Sequence, residues 1–214
     1  MILKQKEIRE VLEILNKTYP NDDKSMLNFT SPFELLVATM LSAQSTDVRV
    51  NKVTDVMFKD LNTPEDFAKA NLETIISYIK SVGIYKNKAK NIKATSEILV
   101  RDYNSQVPRD RDELVKLPGV GRKTANVVVS NAYGIPAIAV DTHVFRVANR
   151  IGLAESNNVL ATERDLEKNI DRDLRSKTHH QLIRHGRAIC KARKPDCSLC
   201  PLNKICEFVG ENDD

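Results

Sequence analysis

Apolar residues recur along this chain at the spacing of a helix and almost nowhere at the spacing of a strand. Near the start, Ile8, Val11, Leu12 and Leu15 fall at i, i+3, i+4 and i+7, one face of a helix. In SPFELLVATMLSAQS, Ser31 stands as an N-cap, Pro32 at the first helical position and Glu34 as a capping-box partner. The body of that stretch is apolar almost without a break, as a helix buried on most sides requires. TPEDFAKA and NLETIISYIKSVG read as two further capped helices, the second ending at Gly83, and KNKAKNIKATSEILVRDYN reads as another. A short helix in RDELVKL follows Pro108 and stops at Pro118. Only seven glycines are available for turns in 214 residues, and strand-like alternation is scarce, so the expected fold is all-α.

This length suffices for one large domain or two small ones, and no Pro/Gly/Ser-rich linker marks a boundary between them. With 41% hydrophobic and 29% charged residues, the chain is neither disordered nor a membrane bundle. No apolar run reaches membrane-spanning length, and the first twenty residues lack the apolar core of a signal peptide. The expected location is therefore cytoplasmic, with no membrane partner. A net charge of +4 says little alone, but its distribution says more. Between His179 and Lys204 lie six Lys or Arg residues against one acid, Asp196, whereas the last eight residues carry four acids. A basic surface toward the C-terminus follows, trailed by a solvated acidic tail.

The stretch LPGVGRKTANVVV places Gly119 and Gly121 between a helix ending at Leu117 and one beginning near Arg122. Glycines there permit positive φ and present no Cβ to a close approach. The second helix offers free N–H groups and a positive dipole end, with Arg122 and Lys123 beside them, which suits a phosphate. Lys123 is an ordinary counter-charge unless its ammonium is disfavoured. The helix N-terminus, Arg122 and partial desolvation all act in that direction, which makes it a candidate amine nucleophile. Downstream, Asp141 precedes the amphipathic run Val144, Phe145, Ala148, Ile151 and reads as an N-cap. His143 beside it makes at most half a metal site, and a structural role fits it better.

All four cysteines, Cys190, Cys197, Cys200 and Cys206, crowd the end of the chain in the pattern C-x6-C-x2-C-x5-C. Without a secretory signal a disulfide framework is not expected. Four thiolates so close together suit one metal centre, and sulfur ligation alone accommodates either zinc or an iron–sulfur cluster. Lys191, Arg193 and Lys194 fall in the loop between the first two cysteines, a basic protrusion suited to DNA phosphates.

LPGVGRKTA is similar to the helix-hairpin-helix element of DNA repair glycosylases, and VDTHVFRVANR resembles the endonuclease III family. The cysteine spacing matches that family's 4Fe–4S site, so the resemblance selects iron–sulfur over zinc. It extends from the N-terminal helix to Cys206. The resemblance implies Lys123 and Asp141 as catalytic residues and Cys190, Cys197, Cys200 and Cys206 as ligands of one 4Fe–4S cluster. By the same matching, Gln44 in LSAQSTDVRVNK is the side chain inserted into opened DNA, and Ile84 in VGIYKNKA is an apolar wedge. Gly119, Gly121, Arg122, Lys191, Arg193 and Lys194 complete the expected DNA contacts.

The fold so implied has a six-helix domain at 25–135 and a discontinuous domain, 1–24 with 136–214, holding the cluster, with a DNA groove between them. The implied function is base-excision repair by a monomer on duplex DNA that contains damaged bases, oxidised pyrimidines foremost, or abasic sites. Lys123 would attack C1′ and β-elimination through a Schiff base would cut the strand. Asp141 would assist by deprotonating Lys123 or by stabilising the sugar cation. Two alternatives stand beside this. One is a monofunctional adenine- or mismatch-type glycosylase of the same superfamily; Lys123 and the short tail after Cys206 both argue against the adenine-specific branch. The other is a DNA-binding module with a zinc site and no chemistry.

Overall fold

A computed structural model describes residues 1–20 and 25–210, and among these every regular element is helical. In chain order the α-helices are α1 Gln5–Thr18, α2 Pro32–Ser42, α3 Asp47–Met57, α4 Pro64–Lys69, α5 Leu72–Ile79, α6 Tyr85–Asp102, α7 Arg111–Leu114, α8 Arg122–Tyr133, α9 Thr142–Ile151, α10 Val159–Asn169, α11 Arg175–Ala188 and α12 Glu207–Gly210. The chain divides into two compact units, Ser25–Ile135 and Met1–Lys24 with Pro136–Asp214.

The unit Ser25–Ile135 is organised around α2. Every residue from Phe33 to Leu41 is buried, because α2 packs against α3, α6 and α8 on different sides. Ser31 caps it, accepting from the Glu34 amide at 3.1 Å, and Pro32 opens the first turn. The capping-box expectation needs correction. The Glu34 carboxylate reaches one residue further back and accepts from the amide and the hydroxyl of Thr30, at 2.5 and 2.8 Å. The helix expected to run to Gly83 stops at Ile79, and the one expected through Leu117 stops at Leu114 after a single turn capped by Asp110. The helix absent from the sequence reading is α3. Its cap is Thr46, which accepts from Arg49, and its buried stripe is Val50, Val53 and Met57. With it the described residues of this unit hold seven helices, the four-residue α7 among them.

The second unit is built on the first helix. Ile8, Val11 and Leu15, the stripe visible in the sequence, close a core with Val144, Val147 and Ile151 of α9, Leu166 of α10 and Leu182 of α11. Cys190 and Leu202 belong to the same core, and Cys200 and Cys206 pack against it. Among the described residues no helix is long and apolar enough to cross a membrane.

Candidate functional site

The two glycines of the hairpin do different jobs. Gly119 has φ +74°, and a Cβ there would stand 2.7 Å from Asn91 Nδ2 and 2.8 Å from Asn91 Cβ on α6. Glycine is therefore needed for both handedness and room. Gly121 has φ −86° and ψ 170°, an ordinary extended backbone, and a Cβ would meet nothing within 4 Å. Positive φ thus explains only the first glycine. The second leaves the N-terminus of α8 open to an approaching group. The turn itself is rigid: Thr95 Oγ1 of α6 donates to the Pro118 carbonyl at 2.9 Å, and Val120 is buried.

Arg122 and Lys123 form the first turn of α8, which holds no acid. Cations at the positive end of a helix cost about 0.3–1 kcal/mol each, a cost that a bound anion reverses. Lys123 is exposed, where the sequence reading expected its own helices to bury it in part.

Gln44, Ile84 and Gly119 line one cleft of about 170 Å³ in this unit, together with Asn87, Lys88 and Asn91 of α6. Gln44 follows the end of α2 with φ 57°, and Ile84 caps α6 with φ 56°. Left-handed backbone costs an L-residue roughly 1–2 kcal/mol, and a β-branched side chain tolerates it worst. Glycine would relieve both positions, so these side chains are retained against a backbone penalty. Ile84 is 53% exposed despite being apolar. Lys88 is a lining residue that the sequence does not single out. It is 7% exposed, and its ammonium donates to the carbonyls of Leu41 and Ala43 at 2.8 and 2.5 Å. Burial pulls its pKa below the usual lysine range.

Asp141 caps α9, with Oδ1 accepting from the amides of His143 and Val144, both at 2.8 Å. That local role is the one its position in the sequence announces. His143 sits against Arg146, Nδ1 to Nη2 at 3.2 Å, and burial lowers its pKa.

The four cysteines are free of disulfides. Burial pushes the Cys200 thiol up, and Cys206, Cys190 and Cys197 each add to the rise, so the four groups lie within electrostatic reach of one another. Yet among the described residues no three His, Cys, Asp or Glu side chains are grouped tightly enough to hold a single metal ion. Two further groups, not evident from the sequence, touch this centre. His185 Nε2 lies 3.5 Å from Cys200 Sγ, with Tyr19 Oη at 3.1 Å from its Nδ1. Arg150 Nη1 reaches Cys190 Sγ at 3.6 Å while also donating to the Lys191 carbonyl at 2.7 Å. Arg150 Nη2 binds the Ala192 carbonyl at 3.1 Å, so this arginine also props the basic loop. In that loop Lys191 is paired with Asp196 at 2.8 Å, while Arg193 and Lys194 are exposed.

Residues 37–172 match the HhH-GPD superfamily of base excision DNA repair proteins, and residues 190–206, first cysteine to last, match the iron–sulfur binding domain of endonuclease III. The class is therefore that of the helix-hairpin-helix base-excision repair proteins. Endonuclease III of Bacillus subtilis (strain 168) is 49% identical over 213 residues, 99% of this chain and 97% of the relative. Endonuclease III of Escherichia coli (strain K12) is 48% identical over 204 residues, 94% of this chain and 97% of the relative. A solved structure of a trapped endonuclease III–DNA covalent intermediate superposes with a TM-score of 0.93 at 48% identity, covering 100% of both chains. The chain belongs to the endonuclease III family, and is a DNA glycosylase with abasic-site lyase activity. Its cofactor is a 4Fe–4S cluster.

Proposed function

We propose that this protein excises damaged pyrimidines from duplex DNA and then cuts the abasic strand, with Lys123 as the nucleophile. The observation that carries the reading is the place of Lys123: exposed on the first turn of α8, two residues past a glycine with open space before it. Phosphates of the damaged strand bind at the Gly121 end of α8 and at Arg122. Gln44 and Ile84 fill the duplex from which the base has been extruded, which removes the stacking that would draw it back.

The amine of Lys123, having given up a proton, attacks C1′ of the sugar, and the C1′–N bond breaks with its electron pair leaving on the base. The Asp141 carboxylate supplies the charge that favours this step. The C1′–O4′ bond then opens to give a Schiff base. Loss of a proton from C2′ expels the 3′-phosphate and leaves a double bond, and water finally releases the lysine. Cys190, Cys197, Cys200 and Cys206 hold the cluster, which supplies no chemistry to the sugar and instead shapes the basic loop carrying Arg193 and Lys194. The partner is duplex DNA with a damaged base or an abasic site, met by a monomer in the compartment that holds the genome.

Borohydride trapping on a duplex with one oxidised pyrimidine tests this. The wild type is expected to give a covalent adduct, and Lys123→Gln neither adduct nor strand cleavage. An adduct retained by Lys123→Gln removes the lysine from its role. Strand cleavage by the wild type with no adduct at all would remove the Schiff base from the mechanism.

A further inference from the structure

We infer that Lys88 is a positioning residue for base extrusion, holding Gln44 and Ile84 at the shared cleft in the conformations they need. The inference rests on the insertion roles of Gln44 and Ile84 proposed above. A helix that ends before a left-handed residue ordinarily uses glycine, whose amide and the next one close onto the last carbonyls. Here the left-handed residue is Gln44, and the Lys88 ammonium takes up the carbonyls of Leu41 and Ala43. Lys88 lies one turn from Ile84 on α6, its amide donating to the Ile84 carbonyl at 3.2 Å. That backbone bond is the ordinary helical one; the Lys88 side chain, one turn along α6 from Ile84, ties this first turn to the end of α2 directly before Gln44. The two tips are clasped a second time where the Gly83 amide donates to Ser45 Oγ at 3.3 Å. A Cβ on Gly83 would press on the Gln44 carbonyl at 3.3 Å, so the tips are also in close backbone contact.

Strained conformations survive only where the surroundings over-determine them. An ammonium on two carbonyls, the strong class of hydrogen bond, is the surrounding that does so here. A salt bridge would serve less well, because a carboxylate partner would compete with the carbonyls for the ammonium.

The test compares two duplexes under single-turnover conditions: a lesion in a fully stacked duplex, and the same lesion facing a missing nucleotide, where extrusion is already largely achieved. A 2-aminopurine beside the lesion reports extrusion directly. Lys88→Met and Gln44→Ala are each expected to slow excision about tenfold on the stacked duplex, to lose little on the gapped one, and to weaken the fluorescence rise. Lys88→Arg should recover part of the loss. If Lys88→Met does not fold, Ser45→Ala, which removes only the second clasp, is expected to show the same substrate dependence at a few-fold. Equal rates on both duplexes with a wild-type fluorescence rise, in Lys88→Met or in Ser45→Ala, overturn the inference while leaving Gln44 intact. Undiminished excision by Gln44→Ala would instead remove the insertion reading itself.

Discussion

Replacing Gly119 and Gly121 by alanine, one at a time, puts different questions to the two glycines of the hairpin. At Gly119 the new side chain must adopt φ +74°, a handedness penalty of roughly 1–2 kcal/mol. Its Cβ would also stand 2.7–2.8 Å from Nδ2 and Cβ of Asn91, closer than such atoms approach, so α6 or the turn must shift. Overpacking of this kind costs about 1–3 kcal/mol, bringing the total to roughly 2–5 kcal/mol. In a chain of 214 residues that lowers the melting temperature by roughly 4–20 °C. At Gly121 the backbone is already extended and nothing lies within 4 Å. Reduced freedom of the unfolded chain favours alanine by about 0.4–1 kcal/mol, and poorer capping offsets a few tenths of that. Its melting temperature should therefore stay put. Its DNA affinity should not, because the methyl group occupies the approach to the α8 amides. A lost charge-assisted hydrogen bond of about 1.5–3 kcal/mol raises Kd roughly 10- to 150-fold. Thermal denaturation by circular dichroism and anisotropy titration of a duplex with a stable abasic analogue read the two effects separately. A Gly119→Ala protein that melts with the wild type, or a Gly121→Ala protein that binds DNA as tightly, would refute this division of roles.

Asp141 also separates into two roles. Asp141→Ala loses both amide bonds and about 1 kcal/mol of stability, while Asp141→Asn caps nearly as well and loses only the charge. Asp141→Asn should therefore melt like the wild type yet release base roughly a hundredfold more slowly in single-turnover assays; undiminished release would leave Asp141 as a cap alone. In the cysteine loop, Arg193→Ala with Lys194→Ala should flatten the plot of log affinity against log salt by about 1.8, and Lys191→Ala alone by much less because of its pairing with Asp196. A drop of about 0.9 for Lys191→Ala, half that of the double variant, would show that the ion pair opens on DNA.

What was legible in the chain was what local rules encode. The α1 stripe, the Ser31 and Asp141 caps and the glycine hairpin each depend on residues within a few positions of one another. Helix α11 escaped because its buried side includes Thr178, His179, Gln181 and His185, so its inward face does not read as apolar. Lys88 escaped for a related reason: in a lysine-rich segment it looks solvated, and only the end of α2, 45 and 47 positions earlier, makes it a buried donor. The left-handed backbone at Gln44 and Ile84 has no signature in composition, since both residues oppose it. Family resemblance pointed to those two, and the fold supplies the cleft they share.

The pairing of α1 with distant helices has a consequence for synthesis. Tyr19, just past α1, meets His185 at 166 positions' remove, and the core that Ile8, Val11 and Leu15 enter is closed by residues as late as Leu202. At about 5–20 residues per second, α1 leaves the ribosome roughly 8–30 s before its partners exist. Ser25–Ile135 has no such wait: the Ser25 amide already binds Asn131 Oδ1 at 3.1 Å, so that unit holds its own first and last segments together. During translation Ser25–Ile135 can close on itself while the apolar face of α1 still waits for the later helices that cover it. The cysteine segment, made after both, then completes the core that this helix began.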